Sequence, residues 1–170
     1  MNVMRWLCAL FLCSGTTLWA ADPKPAAAVE TRLSKPMPTF TLKNLDGLDV
    51  CSTNYADTTR IVWFFASWDK PCHSQLPALV ELQRDVAGLN VLGMILDAKD
   101  PADVKVFCAT NHVNFPVLVA DYGVIKDFGG LEAIPTLFVV EPHGVIVSRF
   151  VGLTDKPTLS KLLDAIRNSP

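Results

Sequence analysis

The sequence predicts an α/β fold in which a central mixed β-sheet is flanked by helices. Apolar segments of strand length alternate with amphipathic segments of helical period, and two apolar segments joined by a turn precede the last amphipathic one. The alternation predicts parallel strands with helical crossovers, and the final pair of strands adds an antiparallel edge. The chain has 170 residues, of which 50% are hydrophobic and 19% charged, so it is long enough to bury one core.

The first 20 residues have the three parts of a secretory signal peptide. Arg5 lies in a short N-terminal region, residues 6–13 are apolar, and Ala20 and Ala21 provide the small residue that precedes cleavage. The apolar run is shorter than the roughly 20 residues of a membrane-spanning helix. We therefore predict a periplasmic or otherwise exported protein that is cleaved near Ala20. An uncleaved anchor, which would bring the protein into contact with a membrane, is the alternative.

The residues after this leader predict a tether and then the domain. Residues 21–38 contain four prolines and three consecutive alanines and show no apolar period, which is typical of a linker. The domain is predicted at residues 39–170. At its start, residues 39–42 and 48–51 flank a turn-like stretch and predict an N-terminal β-hairpin.

The central strand is predicted at residues 61–66, a continuous apolar run that suits a strand covered on both faces. A helix follows, with Cys72 near its start and apolar residues at helical spacing. The later elements are predicted in the order strand 91–96, helix 101–111, strand 116–119, helical turn 122–128, strands 136–140 and 145–150, and a closing helix that includes residues 159–166.

Charge and ligand spacing exclude several classes of function. The formal net charge is −2 and no basic stripe is present, so no nucleic-acid partner is expected. The histidines His73, His112 and His143 are scattered, and none has a second soft ligand at a useful spacing. We predict no metal site and no cofactor.

Four motifs follow one another along the chain. Residues 64–72, Phe-Phe-Ala-Ser-Trp-Asp-Lys-Pro-Cys, run from a strand into a helix that contains Pro77, and the Ile-Pro-Thr of residues 134–136 precedes a strand and the turn at 141–144. In this order they resemble the TlpA, ResA and CcmG group of periplasmic thioredoxins, which are thiol:disulfide oxidoreductases. The resemblance covers about residues 36–168. It implies a thioredoxin-like fold and a cis peptide bond before Pro135.

The resemblance also shows where this sequence departs from the redox centre of the group. There, Trp-Cys-x-Pro-Cys opens the helix, and an acidic residue three positions after the second cysteine handles protons for the buried thiol. Here the first cysteine is replaced by Asp69, the second is Cys72, and the acidic position holds Gln75. Since Asp69 cannot form a disulfide, the dithiol cycle is not available. We expect a degenerate centre without dithiol turnover.

Asp69 is predicted to cap the helix, with its carboxylate accepting the backbone N–H of Cys72, because Pro71 has no N–H to donate. Burial and the neighbouring carboxylate should raise the pKa of the Cys72 thiol against the pull of the helix dipole. Two interpretations of Cys72 stay open, a structural residue and a thiol with residual function.

A partner-binding groove is implied by the resemblance, formed by Trp68 and the loop of Ile134, Pro135 and Thr136. The expected occupant is an extended segment of an exported or membrane-associated protein, paired to the backbone beside the proline. In the alternative interpretation, Trp68 only covers the start of the helix. Cys51 and Cys108 are interpreted as small buried hydrophobic residues, with a disulfide between them as the alternative.

Three functions are therefore compared. The first is a redox-inactive binding or chaperone-like module derived from the oxidoreductase family. The second is an enzyme, a one-cysteine thiol-disulfide oxidoreductase that uses Cys72. The third is a peroxiredoxin-like peroxidase, which is disfavoured because Asp69 stands where those enzymes have a threonine and because residues 134–136 include no arginine.

Overall fold

The computed structural model describes residues 29–168. The predicted signal peptide, its cleavage near Ala20 and the first residues of the predicted tether lie outside this range. The described elements are β1 Val29–Pro36, β2 Thr41–Lys43, β3 Asp49–Cys51, a 3₁₀ turn Ser52–Tyr55, β4 Thr59–Phe65, α1 Lys70–Asp85, β5 Leu89–Ile95, α2 Pro101–Thr110, β6 Val117–Val119, α3 Tyr122–Asp127, β7 Thr136–Val140, β8 Val145–Val151 and α4 Lys156–Arg167.

Six strands form one mixed sheet in the order β1-β8-β7-β4-β5-β6. The strands β4, β5 and β6 run parallel, whereas β7 is antiparallel to β4, and β8 to β7. The strands β2 and β3 form the predicted N-terminal hairpin as a separate two-stranded sheet. The predicted fold class, a thioredoxin-like sandwich with a mixed sheet and flanking helices, is confirmed.

Both faces of β4 are buried, which explains its unbroken apolar sequence. Ile61, Trp63 and Phe65 point to the side that packs against α1 and α4, whereas Val62 and Phe64 point to the side of α3. The helix α1 is therefore fixed against the same strand that leads into its own first turn. None of the helices between residues 29 and 168 has the length and apolar character needed to cross a membrane.

The prediction that residues 21–38 form a tether is wrong for residues 29–36. These residues form β1, which pairs antiparallel with β8, and the Ser148 hydroxyl donates a hydrogen bond of 3.0 Å to the Glu30 carboxylate. An edge strand is held mainly by its backbone ladder, so most of its side chains stay exposed and no apolar alternation marks it in the sequence. The domain consequently begins before residue 39.

The four α-helices between residues 29 and 168 begin at the same edge of the sheet, each after an aspartate that caps it. The capping carboxylates accept backbone N–H groups two or three residues further on, and they belong to Asp69, Asp100, Asp121 and Asp155. Register places the start of β1 at this edge too, since Val29 pairs with Val151, which pairs with Thr136. The chain therefore enters the domain at the edge that holds the predicted site residues.

Candidate functional site

The first turn of α1 is built around Asp69. Its side-chain Oδ2 accepts the backbone N–H of Cys72 at 2.9 Å, and Pro71 lies in the first turn, where no N–H is needed. A second bond, from the Asp69 N–H to the Ala66 carbonyl at 3.3 Å, closes the turn before the helix. The predicted N-cap is confirmed.

Cys72 is completely buried and faces the core rather than solvent. Burial is the main cause that raises the pKa of its thiol far above the usual range, followed by the hydrogen bond from the thiol to the Asp69 carboxylate. The charges of Asp69 and Asp97 act in the same direction, and the backbone hydrogen bond at Ala66 only partly opposes them. Near neutral pH Cys72 is therefore a protonated thiol, which is the less nucleophilic form.

Gln75, at the position of the acidic residue in the redox group, is also completely buried. Its Oε1 accepts the backbone N–H of Thr154 at 2.7 Å, which ties α1 to the loop after β8. Its Nε2 makes no hydrogen bond with any described residue. Because a side-chain amide does not act as an acid or a base near neutral pH, Gln75 cannot transfer protons as an acidic residue at this position could.

Trp68 lies just before the cap, and 70% of its surface is exposed. The preceding residue, Ser67, is held by Asp97, whose carboxylate accepts both the backbone N–H and the hydroxyl of Ser67, the latter at 2.7 Å. On the other side, the His73 ring Nε2 lies 2.6 Å from the Ser67 carbonyl oxygen. A large aromatic side chain is thus presented to solvent on a turn that is fixed on both sides.

Asp97 and His73 were not among the predicted site residues. A usable signal was present for Asp97, because it comes two residues after β5, and Ser67 comes two residues after its parallel neighbour β4. Neighbouring parallel strands end at the same edge of a sheet, so residues just beyond them come together.

The peptide bond between Ile134 and Pro135 is cis, as the resemblance implies. The Pro135 carbonyl accepts the Gly152 N–H at 2.8 Å. The Thr136 side chain is completely buried, and its hydroxyl donates to the Ala133 carbonyl at 2.7 Å. Its backbone already pairs with β4 and β8, so Thr136 does not line a groove, contrary to the prediction.

Ile134 differs from its neighbours in this loop. It is half-buried and packs against the apolar cluster on the side of the sheet that α1 and α4 cover. Among residues 29–168, no hydrogen bond engages the backbone N–H or carbonyl of Ile134. These two groups are therefore available to pair with another extended chain.

Among residues 29–168, the other cysteines and the histidines form neither a disulfide nor a metal site. Cys51, Cys72 and Cys108 are free thiols, so the alternative of a disulfide between Cys51 and Cys108 is wrong. Cys51 and Cys108 are each only half-buried, rather than fully buried as interpreted from the sequence. Within the described part of the chain, no three His, Cys, Asp or Glu side chains come close enough to hold a metal ion.

Comparison with known proteins shows that the chain is similar to proteins named as thioredoxin-like proteins and thiol-disulfide oxidoreductases. The profile of the AhpC/TSA family matches residues 33–149. The thioredoxin-like protein YneN of Bacillus subtilis is 26% identical over 94% of this chain and 97% of its own length. The thiol-disulfide oxidoreductase ResA of Bacillus thuringiensis is 26% identical over 96% of this chain and 95% of its own.

The solved structures that match have the same fold. The thiol:disulfide interchange protein of the thioredoxin family from Chlorobium tepidum superposes with a TM-score of 0.71 at 27% identity. The match covers 86% of this chain and 99% of that protein. The residues that the family profile matches, 33–149, include β4, α1 and the loop before β7, which together carry the candidate site.

Proposed function

The chain belongs to the AhpC/TSA family and, within it, to the TlpA/ResA-like thioredoxins, and from that premise we propose that it is an exported, redox-inactive module that binds a protein partner as an extended segment. The partner is an exported or membrane-associated protein. The signal-peptide pattern of residues 1–20 supports export.

The chemistry of the first helical turn supports the redox-inactive part of the proposal. A dithiol cycle needs one thiol to attack and a second thiol to release the mixed disulfide. Cys72 is the only cysteine in this turn. That sulfur is buried and is kept protonated by burial and by Asp69. The alternative of a one-cysteine enzyme would require Cys72 to reach a disulfide in solvent, which its burial opposes.

One observation carries the binding part of the proposal. On the same edge of the sheet lie an exposed aromatic side chain, Trp68, and the backbone of Ile134, which has no hydrogen-bond partner in the described part of the chain. The pairing of Phe64 with Thr136 brings the end of β4 beside the loop that precedes β7. Backbone pairing gives an extended segment its affinity, and a large aromatic residue is a frequent source of binding energy at interfaces.

The experiment uses the full chain and a thiol-free unfolded probe, reduced and carbamidomethylated α-lactalbumin. We expect Trp68→Ala to weaken binding of the probe by about tenfold, the loss typical of an interface hot spot. The matched control is Tyr122→Ala, because Tyr122 is also a strongly exposed aromatic residue at the start of a helix on this edge. The control should bind like the wild type.

Thermal midpoints separate a binding effect from a folding effect. Since both aromatic side chains are mostly exposed, both variants should melt close to the wild-type temperature. A large loss of stability in Trp68→Ala with unchanged binding would mean that Trp68 covers the helix start and does not bind. Equal loss of binding in both variants would indicate that the probe binds exposed aromatic residues non-specifically, and would contradict the proposal.

A further inference from the structure

We propose that Asp97 is a positioning residue of the binding surface, which holds the Ser67–Trp68 turn in the conformation that presents Trp68 to a partner. The consequence for partner affinity rests on the proposed function above. The effect on Trp68 itself does not depend on it and can be measured without any partner.

The contacts between Asp97 and Ser67 are unusually complete for one pair of residues. The backbone N–H of Ser67 donates to both carboxylate oxygens of Asp97, with the nitrogen 3.0 Å from Oδ1 and 3.2 Å from Oδ2. The Ser67 hydroxyl donates to Oδ2 at 2.7 Å. Hydrogen bonds to an ionised carboxylate are stronger than those between neutral groups. Both donors of Ser67 are thereby fixed to the end of β5.

The carbonyl oxygen of Ser67 is held from the opposite side of the turn, by a residue of α1. The His73 ring Nε2 donates to the Ser67 carbonyl, and the Phe107 ring packs edge-on against His73 at a centroid distance of 5.0 Å. Every polar group of Ser67 is therefore engaged, by Asp97 just after β5 and by His73 in α1. The next residue along the chain is Trp68.

The fixed turn limits the conformational freedom that Trp68 loses when it binds a partner. An exposed aromatic residue on a mobile turn would have to give up backbone freedom on binding, which reduces affinity. A turn already fixed by its neighbours does not lose that freedom again, and fixing the residues that carry a site is what makes it precise. Asp97 thus acts on the partner through Ser67, without touching the partner itself.

The test is carried out on the full chain labelled with 5-fluorotryptophan and observed by fluorine NMR, with the Trp68 resonance assigned by Trp68→Phe. We expect Asp97→Ala to shift or broaden the Trp68 resonance and to weaken binding of carbamidomethylated α-lactalbumin by about tenfold. Ser67→Ala, which removes only the hydroxyl bond, should change both readouts in the same direction by a smaller amount. If Asp97→Ala does not fold, Asp97→Asn and Ser67→Ala provide the comparison.

The matched control is Asp121→Ala. Asp121 lies at the same edge and caps α3 by accepting the Val124 N–H at 2.8 Å, so its loss also removes a carboxylate hydrogen bond. This control should lose stability but leave the Trp68 resonance and the binding affinity unchanged. An unchanged Trp68 resonance in the Asp97 and Ser67 variants, or an equal change in the control, would overturn the inference. If the wild type does not bind the probe, the proposed function fails, and the resonance still decides whether Asp97 fixes the turn.

Discussion

The same tripeptide, Asp-Lys-Pro, opens both α1 and α4, and the comparison separates what is structural from what is specific at the candidate site. Asp69 accepts the N–H of Cys72 at 2.9 Å, and Asp155 accepts that of Thr158 at 2.9 Å. In each helix proline occupies the first turn. One local sequence therefore builds the same helix start twice.

The two starts differ in the residues around the cap. Before Asp155 lies Thr154, which is buried and bonded to Gln75, whereas before Asp69 lies the exposed Trp68. The third residue after the cap is the exposed Thr158 in α4 and the buried Cys72 in α1. Asp69 is thus fully accounted for as a helix cap, and the specific features of α1 are its exposed tryptophan and its buried thiol.

The largest expected effect comes from Asp69→Cys. This change places a thiol at the N-cap, three residues before Cys72, where the helix dipole lowers its pKa below the usual value of about 8.5. We expect a 69–72 disulfide to form in air and turnover of insulin disulfides to appear, whereas the wild type should reduce insulin no faster than a free monothiol. Intact mass with thiol counting measures the first result, and an insulin reduction assay measures the second.

Asp155→Cys is the matched control for this gain of function. It puts a thiol at the same position of the same tripeptide, but Thr158 follows in place of a second cysteine, so no local disulfide can form. If Asp69→Cys folds and remains a dithiol under a strong oxidant, Cys72 is not oriented toward position 69. The account of a lost redox centre would then be wrong.

The next effect is the contribution of Cys72 to the pH dependence of stability. Its pKa in the folded protein is raised, so its contribution is fully present below the unfolded pKa of about 8.5 and is lost as the pH rises above it. The free energy of unfolding of the wild type should therefore fall by up to about 1.4 kcal/mol more per pH unit than that of Cys72→Ala. Urea denaturation from about pH 7 to about pH 10 measures the two slopes.

Cys108 provides the internal reference for that measurement. Burial also raises the pKa of its thiol, but it is present in both proteins, so the difference between the two slopes reports Cys72. Parallel slopes would show that the Cys72 thiol is accessible and ionises equally in the folded state. The one-cysteine enzyme would then be the better interpretation of the site.

A smaller effect tests the equivalence of the two caps directly. Asp69→Ala and Asp155→Ala each remove one bond between a carboxylate and a backbone N–H, and each should cost about 1 kcal/mol of stability. Only Asp69→Ala should also lower the pKa of Cys72, because it removes a hydrogen bond and a charge that raise it. Thermal unfolding and thiol titration of the two variants give the comparison. A cost confined to one cap would show that the equal distances conceal unequal energies.

Features formed by neighbouring residues could be predicted from the sequence, whereas features that depend on distant residues were missed. The cap at Asp69 could be predicted because all its atoms belong to four consecutive residues. The contact of Asp97 with Ser67 was missed, because the two are 30 residues apart and the signal of two matching strand ends can be used only once the parallel pairing of β4 with β5 is inferred. The strand β1 was missed because an edge strand is specified by backbone pairing, which leaves no apolar pattern.

The burial of Thr136 shows a further limit of prediction by resemblance. A motif places a residue next to a functional loop, but the direction of its side chain depends on the pleat of the strand that it begins. Thr136 is the first residue of β7 and points into the protein, whereas Ile134, two residues earlier, has a backbone N–H and carbonyl that make no hydrogen bond among residues 29–168. Register, which the sequence does not display, decides which residue of the loop can meet a partner.

The smallest expected effect concerns the lysine of each tripeptide. Lys156 joins α4 to α1 through ion pairs with Glu81 at 2.6 Å and Asp85 at 3.3 Å, whereas Lys70 is exposed and pairs with no carboxylate among residues 29–168. Lys156→Ala should lower the thermal midpoint slightly in dilute buffer, and Lys70→Ala should leave it unchanged. Ion pairs at a surface are screened by salt, so the difference between the two variants should shrink at about 1 M sodium chloride. A difference that persists in high salt would assign the role of Lys156 to the packing of its aliphatic stem between the two helices rather than to its charge.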